Sequence, residues 1–263
     1  MGPDAFAAAC IALVHRLADA SGEIVLGHFR KNIPVDTKTD ASPVTVADRD
    51  AETKMRELIR IAFPAHGVIG EEHGSDNPDA EWVWVLDPID GTKSFINGVP
   101  LFGTLIALMH KGVPWLGCIN HPALKERWVG GGGQATTLNH QPCRTRPCPS
   151  LKQATVFTTD VQYFQTQERA AFERLGASAL AHRSGGTDCY GYALVAAGWA
   201  DVVCEHVSQL HDFAALAPVI EGAGGIVTDW HGRKLKQHST GHVLACGDRA
   251  VHAAALKALD WSG

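Results

Sequence analysis

The sequence predicts an α/β protein in two parts: helices on an antiparallel sheet in the first half, and alternating strands and helices in the second. Three observations support this prediction. A long stretch near the amino terminus has apolar residues at helical spacing. Two apolar runs are joined by a tight-turn dipeptide, and the second half alternates short apolar runs with helical patterns.

The first half, residues 1–140, is expected to begin with a long amphipathic helix. Apolar residues from Phe6 to Ile24 step by four and three, which places them on one face of a helix. Thr45 and Asp48 match a capping box, so a second helix is expected to start there and to stop before Pro64.

Strands are expected to follow these helices. Residues 82–86 form a short apolar run that is typical of a strand. Two further runs, at 101–109 and 113–119, flank the dipeptide Lys111-Gly112, which suits a hairpin turn. The first half is therefore predicted to be an antiparallel meander covered by helices.

The second half, residues 141–263, is expected to open with a linker at 141–150, which is rich in Pro and Cys. The apolar segments beyond it alternate between strand and helix patterns. The predicted strands are 154–158, 201–204, 226–230 and 242–246, and the predicted helices are 164–175, 190–197, 213–221 and 250–259. This alternation indicates an α/β arrangement.

The composition argues against several classes of partner. A net charge of −5 without a run of Lys or Arg predicts no nucleic-acid or anionic-lipid binding. No apolar run approaches the roughly 20 residues of a membrane span, and no secretory-signal pattern opens the chain. Seven scattered cysteines without a Cys-x-x-Cys pair suit a reducing cytoplasm. The 14 histidines show no zinc-binding spacing.

The segment from Asp87 to Thr92 is the most informative in the chain. It places two carboxylates, Asp87 and Asp90, three residues apart at the end of an apolar strand. Two such acids close together repel each other, and a divalent cation removes that cost. Gly91 permits close approach of a ligand, and Thr92 offers a hydroxyl and backbone N–H groups to an anion. The alternative is an acidic turn that merely closes a strand.

Three more acidic positions each allow two interpretations, one functional and one purely structural. Glu71-Glu72 follows an apolar run and is either part of the same acid cluster or a solvated loop. Asp212 precedes an apolar helix and is either a metal ligand or its N-cap. Asp48 is either a site residue or only the acid of a capping box.

Taken together, these segments resemble the signatures of the inositol monophosphatase superfamily. They stand here as Gly70-Glu71-Glu72, as Asp87-Pro88-Ile89-Asp90-Gly91-Thr92, and as Asp212-Phe213-Ala214-Ala215 running to Glu221-Gly222-Ala223-Gly224-Gly225. The resemblance spans about residues 6 to 250. It implies the layered αβαβα sugar-phosphatase fold, a homodimer, and hydrolysis of a small-molecule phosphate ester.

The resemblance also implies a site with two or three Mg²⁺ ions, for which Mn²⁺ can substitute. Its expected metal ligands are Glu71, Asp87, the carbonyl of Ile89, Asp90 and Asp212. All-oxygen ligands suit these ions. Glu71 and Thr92 are expected to position and deprotonate a water, with Asp48 accepting from the Thr92 hydroxyl. Gly91 and Thr92 are expected to hold the phosphate, and Lys38 is either near the metals or a solvated loop residue.

The alcohol part of the substrate is expected to lie against the second half. The pocket residues implied by the resemblance are Gly186, Thr187, Asp188, Glu205 and Asp212. Inositol phosphatases usually carry a small residue where Asp188 stands. Because a buried charge favours a partner, Asp188 beside Glu205 predicts a cationic alcohol. This suits the histidinol-phosphate phosphatase branch, which the chain resembles at Asp188-Cys189-Tyr190-Gly191-Tyr192. The alternatives are an inositol-1-phosphate or broad-specificity phosphatase, and a non-catalytic regulator; Asp188 could also simply cap a helix.

Overall fold

The computed structural model describes residues 2–32, 34–37, 43–207 and 209–263. Lys38, considered above as a neighbour of the metals, lies outside the described residues. In the described part of the chain, no helix is both long enough and apolar enough to cross a membrane.

The helices in chain order are α1 Pro3–His28, α2 Val46–Ala62, α3 Thr92–Ile96, α4 Thr166–Ser178, α5 Cys189–Ala196, α6 Leu210–Phe213, α7 Leu216–Gly222 and α8 Arg249–Leu259. The long first helix is confirmed, and Pro3 starts it in the first turn, where a missing N–H costs nothing. The capping box of Thr45 and Asp48 is also confirmed at the start of α2. The helix predicted at 213–221 is instead two short helices that meet at Ala214-Ala215.

The first sheet has eight strands in the order β10-β9-β8-β7-β6-β5-β3-β4. Their bounds are β3 Gly67–Gly70, β4 Gly74–Asp76, β5 Trp82–Asp90, β6 Gly103–His110, β7 Val113–His121, β8 Glu126–Gly131, β9 Gln134–Leu138 and β10 Gln141–Pro142. All neighbours are antiparallel except β3 and β5, which are parallel. The predicted hairpin is confirmed: Lys111 and Gly112 have φ of 50° and 73°, as the tight primed turn requires.

The second sheet has the order β12-β11-β13-β15-β14. Its strands are β11 Thr155–Thr158, β12 Ala181–Ser184, β13 Val202–His206, β14 Ile226–Thr228 and β15 His242–Cys246. A separate antiparallel pair, β1 Val35–Thr37 and β2 Pro43–Thr45, precedes α2. Strand β12 has no counterpart among the predictions, because Ala181–Ser184 is exposed throughout and shows no apolar alternation.

Side-chain alternation along the strands builds the layers. On β5, Trp84 and Leu86 pack with α1 and α2, while Val85 faces the opposite core together with α5 and α7. On β13, Val203 joins that central core, and Val202 and Cys204 pack with α4 and α8. The order helix–sheet–helix–sheet–helix is therefore the αβαβα layering that was predicted.

The boundary between the two halves follows the first sheet. Residues 141 and 142 pair with β9 as β10, so the sheet continues into the segment predicted to be a linker. Cys143 and Cys148 are buried, which gives the rest of that segment fixed contacts as well. The division into domains at 140 and 141 remains a prediction.

Gly117 marks the closest approach between the first sheet and the central helices. A Cβ atom at this position of β7 would lie 2.1 Å from the carbonyl oxygen of Ala215, which joins α6 to α7. We expect Gly117→Ala to reduce the free energy of unfolding by about 1–3 kcal/mol, because backbone must shift to make room. Urea denaturation would measure it.

Gly27→Ala is the matched control, since a Cβ there meets no atom within 4 Å. Gly27 lies in α1, where Ala has the higher helix propensity, so its stability should not fall. An unchanged urea midpoint in Gly117→Ala would contradict the close packing of these layers.

Candidate active site

Strand β5 carries Asp87 and Asp90 at its carboxyl end. Residues three apart in a regular strand point to opposite faces. Here the pairing of β5 with β6 shifts register between Asp87 and Asp90. Such an irregularity changes the direction in which side chains point, and it often occurs next to functional sites. The shift lets both carboxylates approach the same place.

Glu71 reaches this place from the neighbouring strand. β3 runs parallel to β5 and ends at Gly70. The Glu71 backbone N–H continues the ladder by donating to the Leu86 carbonyl at 3.2 Å. The carboxyl ends of the two strands therefore lie together, and the Glu71 charge contributes to the raised pKa of Asp87.

Asp212 comes from the second half of the chain. It is the third residue of α6, and its Oδ2 accepts from the Gln209 backbone N–H at 3.0 Å. Gln209, not Asp212, is the N-cap, so the simple N-cap alternative is wrong. This reciprocal capping fixes the carboxylate at the start of a helix that packs on β5 and β6.

The three aspartates form one partly buried cluster. Carboxylate oxygens of Asp87, Asp90 and Asp212 lie within 4.8 Å of one another. Burial raises the pKa of Asp87 well above its usual range, and the charges of Glu71, Asp90 and Asp212 raise it further. Burial likewise raises the pKa of Asp90, with the charges of Asp188 and Asp212 adding to the effect. The fold thus concentrates negative charge where little water can screen it.

These residues fit a hard divalent cation. Asp87 Oδ1 is buried and accepts no hydrogen bond from the described part of the chain. This oxygen is therefore available to coordinate a cation. The carbonyl of Ile89 accepts from the Thr92 hydroxyl at 3.0 Å and keeps a second lone pair. Carboxylate and carbonyl oxygens are the ligands that Mg²⁺ and Mn²⁺ prefer.

The predicted hydrogen bond between Thr92 and Asp48 is not formed. Thr92 opens α3, and its hydroxyl reaches back to the Ile89 carbonyl instead. Asp48 Oδ2 accepts from both the backbone N–H and the hydroxyl of Thr45, at 2.8 and 2.6 Å. Burial raises the pKa of Asp48 against the lowering effect of these bonds, and the charge of Glu71 adds to the rise. Asp48 therefore lies near the cluster while serving its capping box.

Asp188 stands where the two halves meet. It occupies the N-cap position of α5 with φ of 45°, but its side chain does not cap the helix. The Ser94 hydroxyl donates to Asp188 Oδ2 at 3.4 Å, and a Cβ on Gly91 would lie 2.9 Å from the same oxygen. Burial raises the pKa of Asp188 to about 6 although Lys93 lowers it. The capping alternative for Asp188 is therefore wrong.

Glu205 lies behind Asp188 and is saturated by protein groups. Its Oε1 accepts from the backbone N–H and the hydroxyl of Thr159, both at 2.7 Å, and its Oε2 accepts from the Tyr192 hydroxyl at 2.9 Å. Thr159 in turn accepts from the Asp188 backbone N–H at 2.9 Å. Burial raises the pKa of Glu205 to about 7. Glu205 thus supports the segment that carries Asp188.

The segment before Asp188 contributes two smaller groups. Gly186, with φ of 56°, donates its backbone N–H to the Thr159 carbonyl at 2.9 Å. The Thr187 hydroxyl is buried and has no hydrogen-bond partner within the described ranges. These predicted pocket residues therefore lie beside Asp188 and share its support from Thr159.

Comparison with known proteins agrees with this geometry. A family model described as the inositol monophosphatase family matches residues 8–262. The chain belongs to the inositol monophosphatase family. It is 46% identical over 259 residues to a chloroplastic bifunctional phosphatase of Arabidopsis thaliana, with 95% of this chain and 75% of that protein covered. It is 38% identical to a histidinol-phosphatase of Chlorobaculum parvum, with 84% and 86% covered.

The fold is that of the solved family members as well. An inositol monophosphatase from Zymomonas mobilis superimposes with a TM-score of 0.88 at 43% identity, and 95% of this chain and 97% of that chain are covered. Members of the inositol monophosphatase family are metal-dependent phosphatases that act on small phosphate esters. The protein is accordingly a phosphatase, and its aspartate cluster is able to bind metal.

Glu52 is a supporting residue that the sequence analysis missed. It is fully buried on α2, and its carboxylate accepts from the backbone N–H groups of Glu72 and His73 at 2.7 and 3.2 Å. It also forms an ion pair with Arg56 at 2.7 Å. A Cβ on Gly70 would lie 2.0 Å from Glu52 Oε1, so the family glycine leaves room for this carboxylate. The spacing of Glu52 and Arg56 at i and i+4 was the available signal.

Two histidines near the site, His121 and His211, have different surroundings. His121 is fully buried behind the site, with Nδ1 2.8 Å from the Phe102 carbonyl oxygen and Nε2 3.6 Å from the Cys189 sulfur. Burial lowers the pKa of His121 to about 4, so it is a neutral structural group at neutral pH. His211 adjoins the cluster directly, with Nε2 3.5 Å from Asp212 Oδ1.

Asp90→Asn tests the metal assignment. The asparagine oxygen can still accept from the Cys189 backbone N–H, which lies 2.6 Å from Asp90 Oδ2, while one charge leaves the cluster. We expect phosphate release to fall at least about 100-fold, because a direct ligand matters at least as much as its supporting groups. Urea denaturation of the metal-free protein should show no loss of stability, and near-normal turnover would contradict the assignment.

Glu52→Gln tests the support of Glu71. The loss of a buried charge leaves Arg56 unpaired, so we expect the free energy of unfolding to fall by roughly 3 kcal/mol. Phosphate release should fall as well at temperatures where the variant remains folded, since the loop after β3 loses its anchor. The control is Glu57→Gln on the same helix, whose ion pair with Lys54 is exposed. Equal activity in both variants would show that Glu52 does not position the site.

Proposed function

We propose that the protein is a Mg²⁺-dependent histidinol-phosphatase that converts L-histidinol phosphate and water to L-histidinol and phosphate. The observation that carries the proposal is Asp188: it places a carboxylate beside the phosphate end of the site, close enough to raise the pKa of Asp90. A neutral polyol gives such a carboxylate no charged partner, whereas the ammonium group of histidinol does.

Mg²⁺ would be held by Glu71, Asp87, the Ile89 carbonyl, Asp90 and Asp212, with two or three ions sharing these ligands and Mn²⁺ able to replace them. The ions would supply charge neutralisation of the phosphate and acidification of water. Burial and the like charges of the neighbouring acids both raise the pKa values of Asp87 and Asp90, which supports this assignment.

The chain's own groups would orient the reaction. Backbone N–H groups of Gly91 and Thr92, where β5 passes into α3, would bind phosphate oxygens. The Thr92 hydroxyl would orient the attacking water, and Glu71 would accept its proton. Attack in line on phosphorus would break the bond to the leaving oxygen, which takes a proton from solvent to give the alcohol, without a covalent phosphoenzyme. Asp48 would support the start of α2 beside this site through its bonds to Thr45, and not through Thr92.

The alcohol would lie between the two halves. Asp188 would contact its ammonium or imidazole, and Asp212 would border both metals and substrate. The Thr187 hydroxyl, which is buried without a partner in the described chain, would donate to the substrate next to Gly186. Glu205 would act through Thr159, since both of its oxygens already accept hydrogen bonds.

Two relatives support this substrate by their names, the histidinol-phosphatases of Chlorobaculum parvum and Mycobacterium tuberculosis, at 38% and 34% identity. The second candidate, an inositol-1-phosphate or broad-specificity phosphatase, is favoured by the structural match to the Zymomonas mobilis enzyme. A non-catalytic regulator has less support, because it has no need for the whole set of buried acids.

The deciding experiment is phosphate release by metal-stripped protein after addition of Mg²⁺, with L-histidinol phosphate and inositol 1-phosphate measured in parallel. We expect kcat/KM for histidinol phosphate to be at least about tenfold higher, which corresponds to about 1.4 kcal/mol. Equal rates, or a preference for the inositol ester, would overturn the proposed substrate and leave the phosphatase assignment unaffected.

Asp188→Asn tests the residue that carries the proposal. The amide keeps the shape and removes the charge, so kcat/KM for histidinol phosphate should fall at least about tenfold while that for inositol 1-phosphate changes less. The control is Asp79→Asn, which is exposed and precedes the opposite end of β5 from the site. An equal loss on both esters would contradict charge recognition by Asp188.

We also propose a homodimer in the cytoplasm, as the family resemblance implies. Light scattering on the purified protein would test the dimer, and a monomeric mass would overturn it. We propose neither a nucleic-acid nor a membrane partner.

A further inference from the structure

A second group of metal-ligand side chains lies outside the active site. Glu168, His206 and His242 each offer one ligand atom, and the three atoms lie within 4.8 Å of one another. We name this group the Glu-His-His cluster. It contains two imidazoles and one carboxylate, whereas the metal ligands predicted for the active site are all oxygen atoms.

The fold brings these residues together from three elements. His206 ends β13 and His242 begins β15, and the two are direct partners across the antiparallel pair. Their rings stack with centroids 4.4 Å apart. Glu168 comes from the first turn of α4, which packs over this face of the sheet.

One carboxylate oxygen is the shared centre. Glu168 Oε1 lies 2.8 Å from His206 Nδ1 and 2.8 Å from His242 Nε2. We propose that the Glu-His-His cluster is a binding site for a late first-row divalent cation, with Zn²⁺ as the natural occupant. Two imidazole nitrogens and one carboxylate oxygen with an open fourth position are a common zinc ligand set, and they select against Mg²⁺.

The two distances to Glu168 Oε1 require only a small adjustment. Zinc bonds of about 2.0–2.1 Å in a tetrahedral site place ligand atoms roughly 3.3 Å apart. The two nitrogens therefore need to move about 0.5 Å away from Glu168 Oε1. His206 and His242 are partly exposed, with side-chain exposures of 23% and 16%, so room for this movement exists.

The neighbouring hydrogen bonds already orient the ligands. Glu168 Oε2 accepts from the Gln165 backbone N–H at 2.7 Å, which leaves Oε1 directed at the imidazoles. His242 Nδ1 lies 3.2 Å from the Thr240 hydroxyl oxygen. When zinc takes the lone pair of His242 Nε2, the ring proton resides on Nδ1 and donates to Thr240. Such an outer hydrogen bond is typical of metal-bound histidine.

The protonation states also suit a cation. Hydrogen bonds from Gln165, His242 and His206 outweigh burial and lower the pKa of Glu168, so the carboxylate is ionised at neutral pH. Burial is the largest cause of the lowered pKa of His242, so its imidazole is neutral. Both forms bind metal without loss of a proton, since the His242 imidazole only moves its proton to the other ring nitrogen.

The cluster borders a cavity on its Glu168 side. This cavity of about 460 Å³ is lined by residues 165–168 together with Trp261 and Gly263. Trp230 and Trp261 pack against His242, with ring centroids 4.8 and 5.1 Å from that of His242.

The experiment uses the full chain without a histidine tag, stripped of metal and then saturated with Mg²⁺ to occupy the aspartate cluster. Calorimetric titration with Zn²⁺ should give one ion per chain. Co²⁺ in place of Zn²⁺ should give the strong visible absorption of a four-coordinate site with two nitrogen and two oxygen donors, one of them water, which six-coordinate oxygen sites lack. Zn²⁺ at about 100 times its Kd should raise Tm by about 5 °C.

His206→Gln and Glu168→Gln provide the matched variants. His206 is the more exposed histidine, and glutamine at 168 can still accept from the Gln165 N–H, so each should keep the fold. Both should weaken Zn²⁺ binding at least tenfold, remove the Co²⁺ absorption and abolish the Tm shift. Asp90→Asn should keep all three signals. Wild-type protein without Co²⁺ absorption, or variants that bind Zn²⁺ as tightly as wild type, would overturn the proposal.

Discussion

Electrostatic repulsion among Asp87, Asp90 and Asp212 is the constraint on which the rest of the site depends. Oxygens within 4.8 Å repel by about 3 kcal/mol per ionised pair at an effective dielectric constant of about 20. Burial adds a desolvation cost, since Asp87 is only 2% exposed. A flexible chain would separate these acids. They remain together because strands and helices hold their backbones, and because a divalent cation can offset the repulsion.

The groups that hold the cluster come from both halves of the chain. The Cys189 N–H at the start of α5 donates to Asp90, while Gln209 and Asp212 cap α6 reciprocally. Glu52 anchors the loop that follows Glu71. The central helix layer therefore has two tasks: it fills the core between the sheets, and it delivers Asp212 and the Cys189 N–H to the carboxyl end of β5. Loss of docking between the halves would dismantle the site as well as the core.

Much of this could be predicted from the sequence where the signal was local. The helical period before Ile24, the Thr45 capping box and the Lys111-Gly112 turn act over a few residues, and all three are confirmed. The layered fold came from the resemblance, because spacing alone predicts elements and not how sheets stack. The helix predicted at 213–221 instead divides at Ala214-Ala215, and the first of the two short helices carries Asp212.

The remaining differences depend on contacts between distant segments. Thr92 pairs with Ile89 and not with Asp48, because a capping box had already engaged Asp48. Glu205 is bound by Thr159, which is 46 positions away in the sequence, so no local pattern could show that its oxygens are occupied. The register shift between Asp87 and Asp90 likewise follows from how β5 pairs with β6.

Strand β13 links the phosphatase pocket to the Glu-His-His cluster. Glu205 and His206 are adjacent, so their side chains point to opposite faces of the sheet. Glu205 faces the central layer and supports Asp188 through Thr159, while His206 faces α4 and Glu168. After His206 the chain continues towards Asp212, and the Val207 N–H still pairs with the Gly241 carbonyl at 2.9 Å. A cation between His206 and His242 would therefore stabilise the end of β13, the strand whose Glu205 supports the pocket. Its binding energy would order the backbone of β13, which also carries Glu205.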